Sequence, residues 1–298
     1  MADFKGLVCK AISGFYYVHT SDFVYECRAR GGFRKDGISP LVGDTVDISV
    51  DLNNKGVIEH IYPRKNFLTR PSVANLDKLF IISSYVTPAP NLLMIDRLTA
   101  ISHFHNITPV IVFNKCDLGD FSYFRDLYEK SGFTTAVVSA QSGEGMELLE
   151  EQLKDCVSAF TGNSGVGKSS ILNVLFPELS LATGEVSDKL GRGRHTTRHT
   201  ELFKHSFGGY VADTPGFSSI DSQIQPFEFK DKLIDCFPDL SAFADNCRFA
   251  DCAHIGEKGC CVCEAVKNGK VQKSRFDSYC ALFNELKELK AWNLNKKR

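Results

Sequence analysis

Apolar positions fall into three rhythms along the chain. Up to about residue 70, short runs rich in β-branched and aromatic residues alternate with turn residues: Gly14-Phe-Tyr-Tyr-Val18, Phe23-Val-Tyr-Glu-Cys27, Asp44-Thr-Val-Asp-Ile-Ser-Val50 and Gly56-Val-Ile-Glu-His-Ile61. Gly31-Gly32 and Asn53-Asn54 supply the turns. About five strands in so few residues predict a small closed barrel of the OB or SH3 kind over residues 1–70. Arg28, Arg30, Arg34 and Lys35 with Phe33 make a basic loop carrying an aromatic. Such a loop suits a nucleic-acid backbone and a stacked base, or is simply a solvated turn.

From 71 to 222 strands and helices alternate. Lys78-Leu-Phe-Ile-Ile82 is a continuous apolar run, as a strand buried on both faces requires. A helical stretch over Leu92–Phe104 precedes the strand Val110-Ile-Val-Phe113. A helix near Phe121–Lys130 leads to the strand Thr134–Val138, and Met146, Leu149, Leu153 and Cys156 recur at helical spacing. Val157–Phe160 reads as a strand, Ser169–Phe176 as a helix closed by Pro177, and Tyr210–Ala212 as a strand. This alternation predicts an α/β domain with a mostly parallel sheet and helices on both sides. Past 223 the pattern turns to short helical pieces around a cysteine cluster. Phe276, Tyr279, Phe283 and Leu286 mark one face of a last helix, and a basic tail closes the chain.

Composition narrows the class. Lys and Arg number 35 against 36 Asp and Glu, so no global basic field advertises nucleic acid, and an RNA-binding surface must be a local patch. No apolar run reaches the ~20 residues that span a bilayer, and the first residues, MADFKGLVCK, lack a signal peptide's apolar core. The expectation is a soluble cytoplasmic protein without membrane or DNA partners. Five of the 11 cysteines crowd residues 247–263. In a reducing compartment that crowding reads as metal ligation rather than disulfides.

The chemistry begins with Gly162-Asn-Ser-Gly-Val-Gly-Lys-Ser169, a Gly-x-x-x-x-Gly-Lys-Ser loop between a strand and a helix, followed by Ser170. Gly162 and Gly167 allow the backbone N–H groups of Asn163, Ser164, Gly165, Val166 and their neighbours to curl around phosphate oxygens. The helix starting near Lys168 points its positive end at them. Lys168 is placed to reach the β- and γ-phosphates, and Ser169 to ligate Mg²⁺. Asn114-Lys115-Cys116-Asp117, directly after a strand, reads guanine. The Asp117 carboxylate accepts the N1–H and 2-amino hydrogens, which adenine does not offer, and burial of that carboxylate would penalise ATP. Asn114 approaches the O6/N7 edge, the Lys115 stem covers the base, and Ser139-Ala140 suits a turn whose amide meets O6. Asp213-Thr-Pro-Gly216 supplies a carboxylate for the Mg²⁺ shell and an amide, that of Gly216, for the γ-phosphate. Where many GTPases carry a water-orienting glutamine this chain has Phe217, so intrinsic turnover is expected to be slow. Between these motifs Gly191-Arg-Gly-Arg-His-Thr-Thr-Arg198 occupies the place of a first switch. Thr197 is the best candidate for a second Mg²⁺ ligand and His195 for positioning water. Arg192, Arg194 and Arg198 suit either RNA phosphates or stabilisation of charge in cis, and the residues do not choose.

The order is inverted: the base reader precedes the phosphate loop, where ordinary GTPases have the reverse. The core is therefore expected to be circularly permuted. Downstream, Cys247-x4-Cys252-x-His254-x5-Cys260 offers three thiols and an imidazole, a closed tetrahedral Zn²⁺ set, with Cys261 and Cys263 as competing ligands. Four soft ligands make the metal structural, a staple for a small domain over 223–298.

The ordered set of Asn114–Asp117, Gly162–Ser170, Gly191–Arg198, Asp213–Phe217 and the Cys-Cys-His-Cys cluster resembles the circularly permuted, ribosome-small-subunit-dependent GTPase A family over nearly the whole chain. The resemblance implies an OB barrel (1–70), a permuted GTPase core (71–222) and a zinc domain (223–298). It also implies GTP hydrolysis stimulated by the small subunit, rRNA contact through the outer domains, and a cytoplasmic monomer acting late in subunit maturation. It gives His195 the water-positioning role and Thr197 the switch-ligand role. Permutation puts the zinc domain directly after the second switch, so the γ-phosphate could bias that domain's pose. Two rival readings are a GTP-dependent rRNA-binding scaffold with incidental turnover, and a metabolic P-loop kinase, against which Asn114–Asp117 argues.

Overall fold

The computed structural model describes the chain apart from Met1, Asp36, Arg70, Thr87, residues 178–199, Phe207, residues 214–225 and residues 296–298. Its first unit comprises β1 (Ala2–Ile12), β2 (Phe15–His19), β3 (Val24–Ala29), a short helix α1 (Gly31–Lys35), β4 (Thr45–Val50) and β5 (Lys55–Ile61). The strands pair in the cycle β1-β2-β3-β5-β4 and back to β1, with only β3–β5 parallel. This closure makes a five-stranded barrel without a free edge. Val8, Val18, Cys27, Val46, Ile48 and Ile58 fill its interior. The longest strand, β1, escapes sequence reading because Asp3, Lys5, Gly6 and Lys10 dilute its apolar positions.

The basic loop is largely spoken for. Arg28 lies in β3 with its guanidinium over the Phe15 ring, 4.7 Å from the centroid. Arg30 is hydrogen-bonded to Glu59 at 3.0 Å, and Phe33 packs against the barrel core. Phe33 is therefore half-buried, with part of its ring on the barrel.

The join to the next unit is tied down. The Arg64 guanidinium grips the buried Asp44 carboxylate with two hydrogen bonds of 2.7 and 2.8 Å. The hairpin β6 (Phe67–Thr69) and β7 (Ser72–Ala74) follows, and Asp77 then accepts the Val157 N–H at 2.8 Å.

The central unit contains β8 (Lys78–Ser84), α2 (Leu92–Phe104), β9 (Thr108–Asn114), α3 (Ser122–Lys130), β10 (Thr134–Val138), α4 (Met146–Leu153), β11 (Val157–Gly162), α5 (Lys168–Leu175), β12 (Glu201–Lys204) and β13 (Tyr210–Asp213). The sheet order is β10-β9-β8-β11-β13-β12, parallel except for the last pair. Alternation sends Leu79, Ile81, Ile111 and Phe113 to one face and Phe80, Ile82, Val110 and Val112 to the other. Both faces are covered, which explains the unbroken apolar runs. Sequence reading misses β12, a four-residue strand that pairs with β13 on one side and with β1 of the barrel on the other.

The last unit holds α6 (Pro226–Asp231), α7 (Pro238–Ser241), α8 (Cys261–Lys267) and α9 (Lys273–Asn295). It has no separate core. Leu233, Phe237, Leu240, Tyr279 and Leu282 merge with Leu98 and Ile101 of α2 into one apolar cluster. Inside that seam Arg275 is fully buried. It donates to Asp96 of α2 at 2.8 Å and to both oxygens of Asp239 at 2.8 and 3.1 Å, and lies between the rings of Phe133 and Phe237. Asp96 also accepts from Tyr128 at 2.9 Å. Burial pushes the Asp96 carboxyl up, against the opposing pull of Arg275. Among the described residues no helix is long and apolar enough to cross a membrane.

Removing the guanidinium would strand these carboxylates in the seam. Arg275→Met should cost about 3 kcal/mol or more in chemical denaturation at pH 7.5. Without its cation the folded-state pKa of Asp96 rises further above the unfolded value. The added penalty is then absent at low pH and grows as pH rises toward the folded pKa. The deficit against wild type should therefore shrink at pH 5, and an equal deficit at both pH values would exclude this account.

Candidate functional site

Strands β8, β9 and β11 all end at one edge of the sheet, and their continuing loops meet there. β9 ends in Asn114, β10 leads into Ser139-Ala140, and β11 leads into the glycine loop. Asn114 is buried, and its side chain spans all three. Its amide N–H donates to Val166 O at 2.9 Å, and its oxygen accepts the Ala140 N–H at 3.2 Å. The two segments expected to read base and phosphate therefore touch, although 52 positions separate Asn114 from Val166. Asn114 was expected at the base edge. Two of its groups staple loop to loop, which leaves one amide hydrogen and one oxygen lone pair for a base.

Lys115 adopts a left-handed backbone conformation, φ 67°, an uncommon state for a residue with a side chain. Its ammonium donates to Gly165 O at 2.9 Å, bracing the glycine loop as expected. The left-handed turn leads into a 3-10 turn, Cys116–Leu118, that carries Asp117. The Asp117 carboxylate is exposed rather than buried. The Ser139 hydroxyl donates to it at 2.6 Å and accepts the N–H groups of Gln141 and Ser142. Selectivity against adenine then depends on the base itself covering this carboxylate. Cys116 is half-buried, and burial with the neighbouring acids Glu144 and Asp117 raises its thiol pKa.

Within the glycine loop Ser164 and Gly165 are exposed, while Val166 is buried in the sheet core and anchors the loop. Gly162 and Gly167 have φ of 144° and 93°. A Cβ on Gly162 would meet Ile82 O at 2.3 Å, and one on Gly167 would meet the Asn114 amide nitrogen at 2.2 Å. Glycine at 167 thus serves both the turn and the staple. Gly167 caps α5, whose first residues are Lys168, Ser169 and Ser170. Lys168 donates to Gly162 O at 2.6 Å and Asn163 O at 2.8 Å, which holds its ammonium against the loop. Loop amides, a helix N-terminus and an ammonium together favour a polyphosphate. Asp213 ends β13 beside β11. The expected switch residues His195, Thr197 and Gly216, with Phe217 and the Gly191–Arg198 arginines, lie outside the described residues.

The second centre is the cysteine cluster. The ligand atoms of Cys247, Cys252, His254 and Cys260 all lie within 4.8 Å of one another. Cys247 Sγ is 3.4 Å from His254 Nδ1 and 4.0 Å from Cys260 Sγ, and Cys260 Sγ is 3.6 Å from His254 Nδ1. Donors about 2.3 Å from a tetrahedral Zn²⁺ stand about 3.8 Å apart, so the set fits. Burial keeps His254 neutral, the ligating form. Burial also pushes Cys252 up to about 12 and Cys260 up to about 11. Cys247 is pulled down despite burial, chiefly by the Cys261 amide and the neighbouring thiols. A dication reverses the penalty on the other two. Cys261 and Cys263 fall outside this set of four: the Cys261 thiol donates to Asn246 O, and Cys261 and Cys263 contribute backbone N–H groups to the sulfurs of Cys247 and Cys260.

Sequence reading passes over the supports of this cluster. The Glu257 carboxylate accepts the N–H groups of Ala253, Ile255 and Gly256, which shapes the loop between His254 and Cys260. Tyr279 donates to Ala253 O at 2.9 Å. An acid in a glycine-bearing loop between ligands was the available signal for Glu257, whereas nothing local points to Tyr279. Elemental analysis should find one zinc per chain, lost in Cys252→Ser and kept in Cys261→Ser. Loss in both would mean that the four ligands are wrongly chosen.

Comparison with known proteins agrees with this arrangement. The RsgA GTPase family model matches residues 61–223 and the RsgA N-terminal domain model residues 5–58. The small ribosomal subunit biogenesis GTPase RsgA of Caldanaerobacter subterraneus subsp. tengcongensis is 43% identical over 291 residues, covering 97% of each chain. That of Bacillus cytotoxicus is 42% identical over 294 residues, covering 96% of this chain and 98% of the relative. Among solved structures, YjeQ from Thermotoga maritima superposes with TM-score 0.78 at 35% identity, covering 96% of this chain and 99% of that one. YloQ, described as a circularly permuted GTPase, superposes with TM-score 0.81 at 32% identity, covering 96% of each. A family model spanning more than half the chain, and relatives of this identity along nearly all of it, carry the conclusion: the chain belongs to the RsgA GTPase family.

Proposed function

We propose that this GTPase binds the small ribosomal subunit and assists its late maturation, hydrolysing GTP to GDP and phosphate with stimulation by the subunit. The observation that carries the nucleotide reading is the Asn114 staple, which brings the Asp117 turn and the glycine loop to one pocket. The target follows from relatives named small ribosomal subunit biogenesis GTPases.

In this reading Asp117, held by Ser139, accepts the guanine N1–H and amino hydrogens, and Lys115 covers the base. Amides of residues 162–170 and the Lys168 ammonium take the phosphates. Ser169, Thr197 and Asp213 hold Mg²⁺, which when bound neutralises phosphate charge. His195 positions water, and Gly216 donates its amide to the γ-phosphate. Cys247, Cys252, His254 and Cys260 hold one structural Zn²⁺. The barrel and the zinc module contact rRNA, and the protein works as a monomer in the cytoplasm, where its target is. GTP favours the subunit-bound state and hydrolysis releases it.

Phosphate release measured with small subunits, large subunits and neither tests the activity. Small subunits alone should stimulate strongly, and Lys168→Ala should lower turnover at least about a hundredfold. Unstimulated release with tight subunit binding would favour an rRNA-binding scaffold instead. Asp117→Asn should weaken GTP at least about a hundredfold, because the amide keeps one acceptor oxygen and sets an N–H donor against the other of the base's two donors. Unchanged preference for GTP over ATP in that variant would overturn the base assignment.

A further inference from the structure

The turn that carries Asp117 ends against a side chain that none of the sequence motifs includes. Gly119 closes the turn, its N–H donating to Cys116 O at 3.3 Å, as the Leu118 N–H does to Lys115 O at 3.0 Å. Its φ is 169°, extended backbone open to any residue, so space rather than torsion requires glycine here. A Cβ at this position would fall 2.1, 2.3 and 2.4 Å from Cε1, Cζ and Cδ1 of Tyr85. The Tyr85 ring therefore lies directly against the Gly119 backbone.

That ring is itself held. Tyr85 follows Ser84, the fully buried last residue of β8 and the register partner of Asn114. The Ser84 hydroxyl donates to Pro88 O at 2.9 Å, with Val86 O at 3.3 Å, which fixes the chain leaving Tyr85. On its other side the ring meets Phe121 edge to face, with centroids 5.4 Å apart. Phe121 is buried and stacks at 5.0 Å on Phe113, the residue before Asn114. The turn is less confined: Asp117 and Leu118 are exposed, and the Ser139 hydroxyl holds the Asp117 carboxylate at 2.6 Å. A side chain at 119 would accordingly displace the turn more readily than the ring.

We infer that Tyr85 and Gly119 are positioning residues that set guanine specificity, acting through the turn on the pose of Asp117. This deepens the proposed function and rests on its assignment of Asp117 to the guanine edge. Two donors of the base, N1–H and the 2-amino group, must meet two carboxylate oxygens at once, and such paired bonds tolerate little misalignment. A displaced carboxylate keeps one bond and loses the other. The damage then appears as lost recognition of the 2-amino group, with the grip on the phosphates unchanged.

Inosine diphosphate, which keeps N1–H and lacks the 2-amino group, is the probe. By isothermal titration wild type should bind GDP roughly tenfold or more tighter than inosine diphosphate, the worth of one hydrogen bond to a charged group. Gly119→Ala should weaken GDP about tenfold and inosine diphosphate by no more than about threefold, with turnover at saturating GTP within about twofold of wild type. Tyr85→Phe, which retains the ring, should keep the wild-type preference. Tyr85→Ala makes room for the added methyl, so the Gly119→Ala/Tyr85→Ala double variant should regain part of the preference that Gly119→Ala loses. Full preference in Gly119→Ala, equal weakening of both nucleotides, or a double variant less selective than Gly119→Ala would each overturn the inference. Should Gly119→Ala fail to fold, the Tyr85 pair decides: Tyr85→Ala should narrow the preference about threefold and Tyr85→Phe should not. The same preference in those two variants would reject the ring as the positioning element. Wild type that does not distinguish the two nucleotides would sink the assignment of Asp117 itself, whereas a selective wild type beside an equally selective Gly119→Ala sinks this inference alone.

Discussion

One buried amide makes the inverted order of motifs workable. Asn114 hydrogen-bonds Val166 O and the Ala140 N–H, so three loops from three strands share a single small side chain. Such bonds depend on where strand ends lie in space and not on which loop comes first in the chain. The neighbouring contacts have the same property: Lys115 braces Gly165 O, Ser139 steers Asp117, and Gly167 leaves room for the staple because any Cβ there would strike it. A chain can be cut and rejoined elsewhere without disturbing such a pocket, provided the sheet keeps its order. That order is kept in β10-β9-β8-β11-β13-β12, where neighbours in the sheet are often distant in sequence.

The C-terminal unit illustrates a different economy. Three short helices and the long α9 over residues 226–295 bury their apolar side chains in one cluster shared with the face of the central domain built on α2. Two polar devices then fix the arrangement. The Cys-Cys-His-Cys set orders the loop, with Glu257 and Tyr279 holding its backbone, while Arg275 locks α9 to α2 and α7. A buried ion network is a costly way to gain stability but a specific one, because only one docking pose satisfies every donor of the guanidinium. The C-terminal unit's seat on α2 is built from these contacts together with the shared apolar cluster.

Much of this was legible in the sequence, for identifiable reasons. Strands β8 and β9 announce themselves because both faces are buried, and α2 coincides with its predicted span, Leu92–Phe104. The glycine loop and the Cys-Cys-His-Cys cluster are legible because such residue types at those spacings have few alternative uses. What stayed hidden is non-local. β12 is four residues long with a single fully buried side chain, Leu202, and only its two partner strands make it a strand. Strand β1 hides because its outer face is polar. Phe33 looked like a surface aromatic since no local pattern shows the barrel closing beneath it. Arg275 reads as one more helix charge until Asp96 and Asp239 arrive from other elements.

These hidden elements share a consequence for how the barrel is mounted. It is attached to the central sheet twice: covalently, through the Arg64–Asp77 join that feeds β8, and by backbone pairing, through β1 and β12. Strands β8 and β12 flank the pair β11 and β13, which bear the glycine loop and Asp213. The barrel is therefore tied to the sheet on both sides of β11 and β13 rather than on one side alone. In a permuted chain this follows from topology. Moving the termini lets the barrel enter at β8, and the sheet edge at β12 remains unpaired unless something covers it. The barrel meets that edge at Glu201, the register partner of Lys10, which gives a second point of attachment.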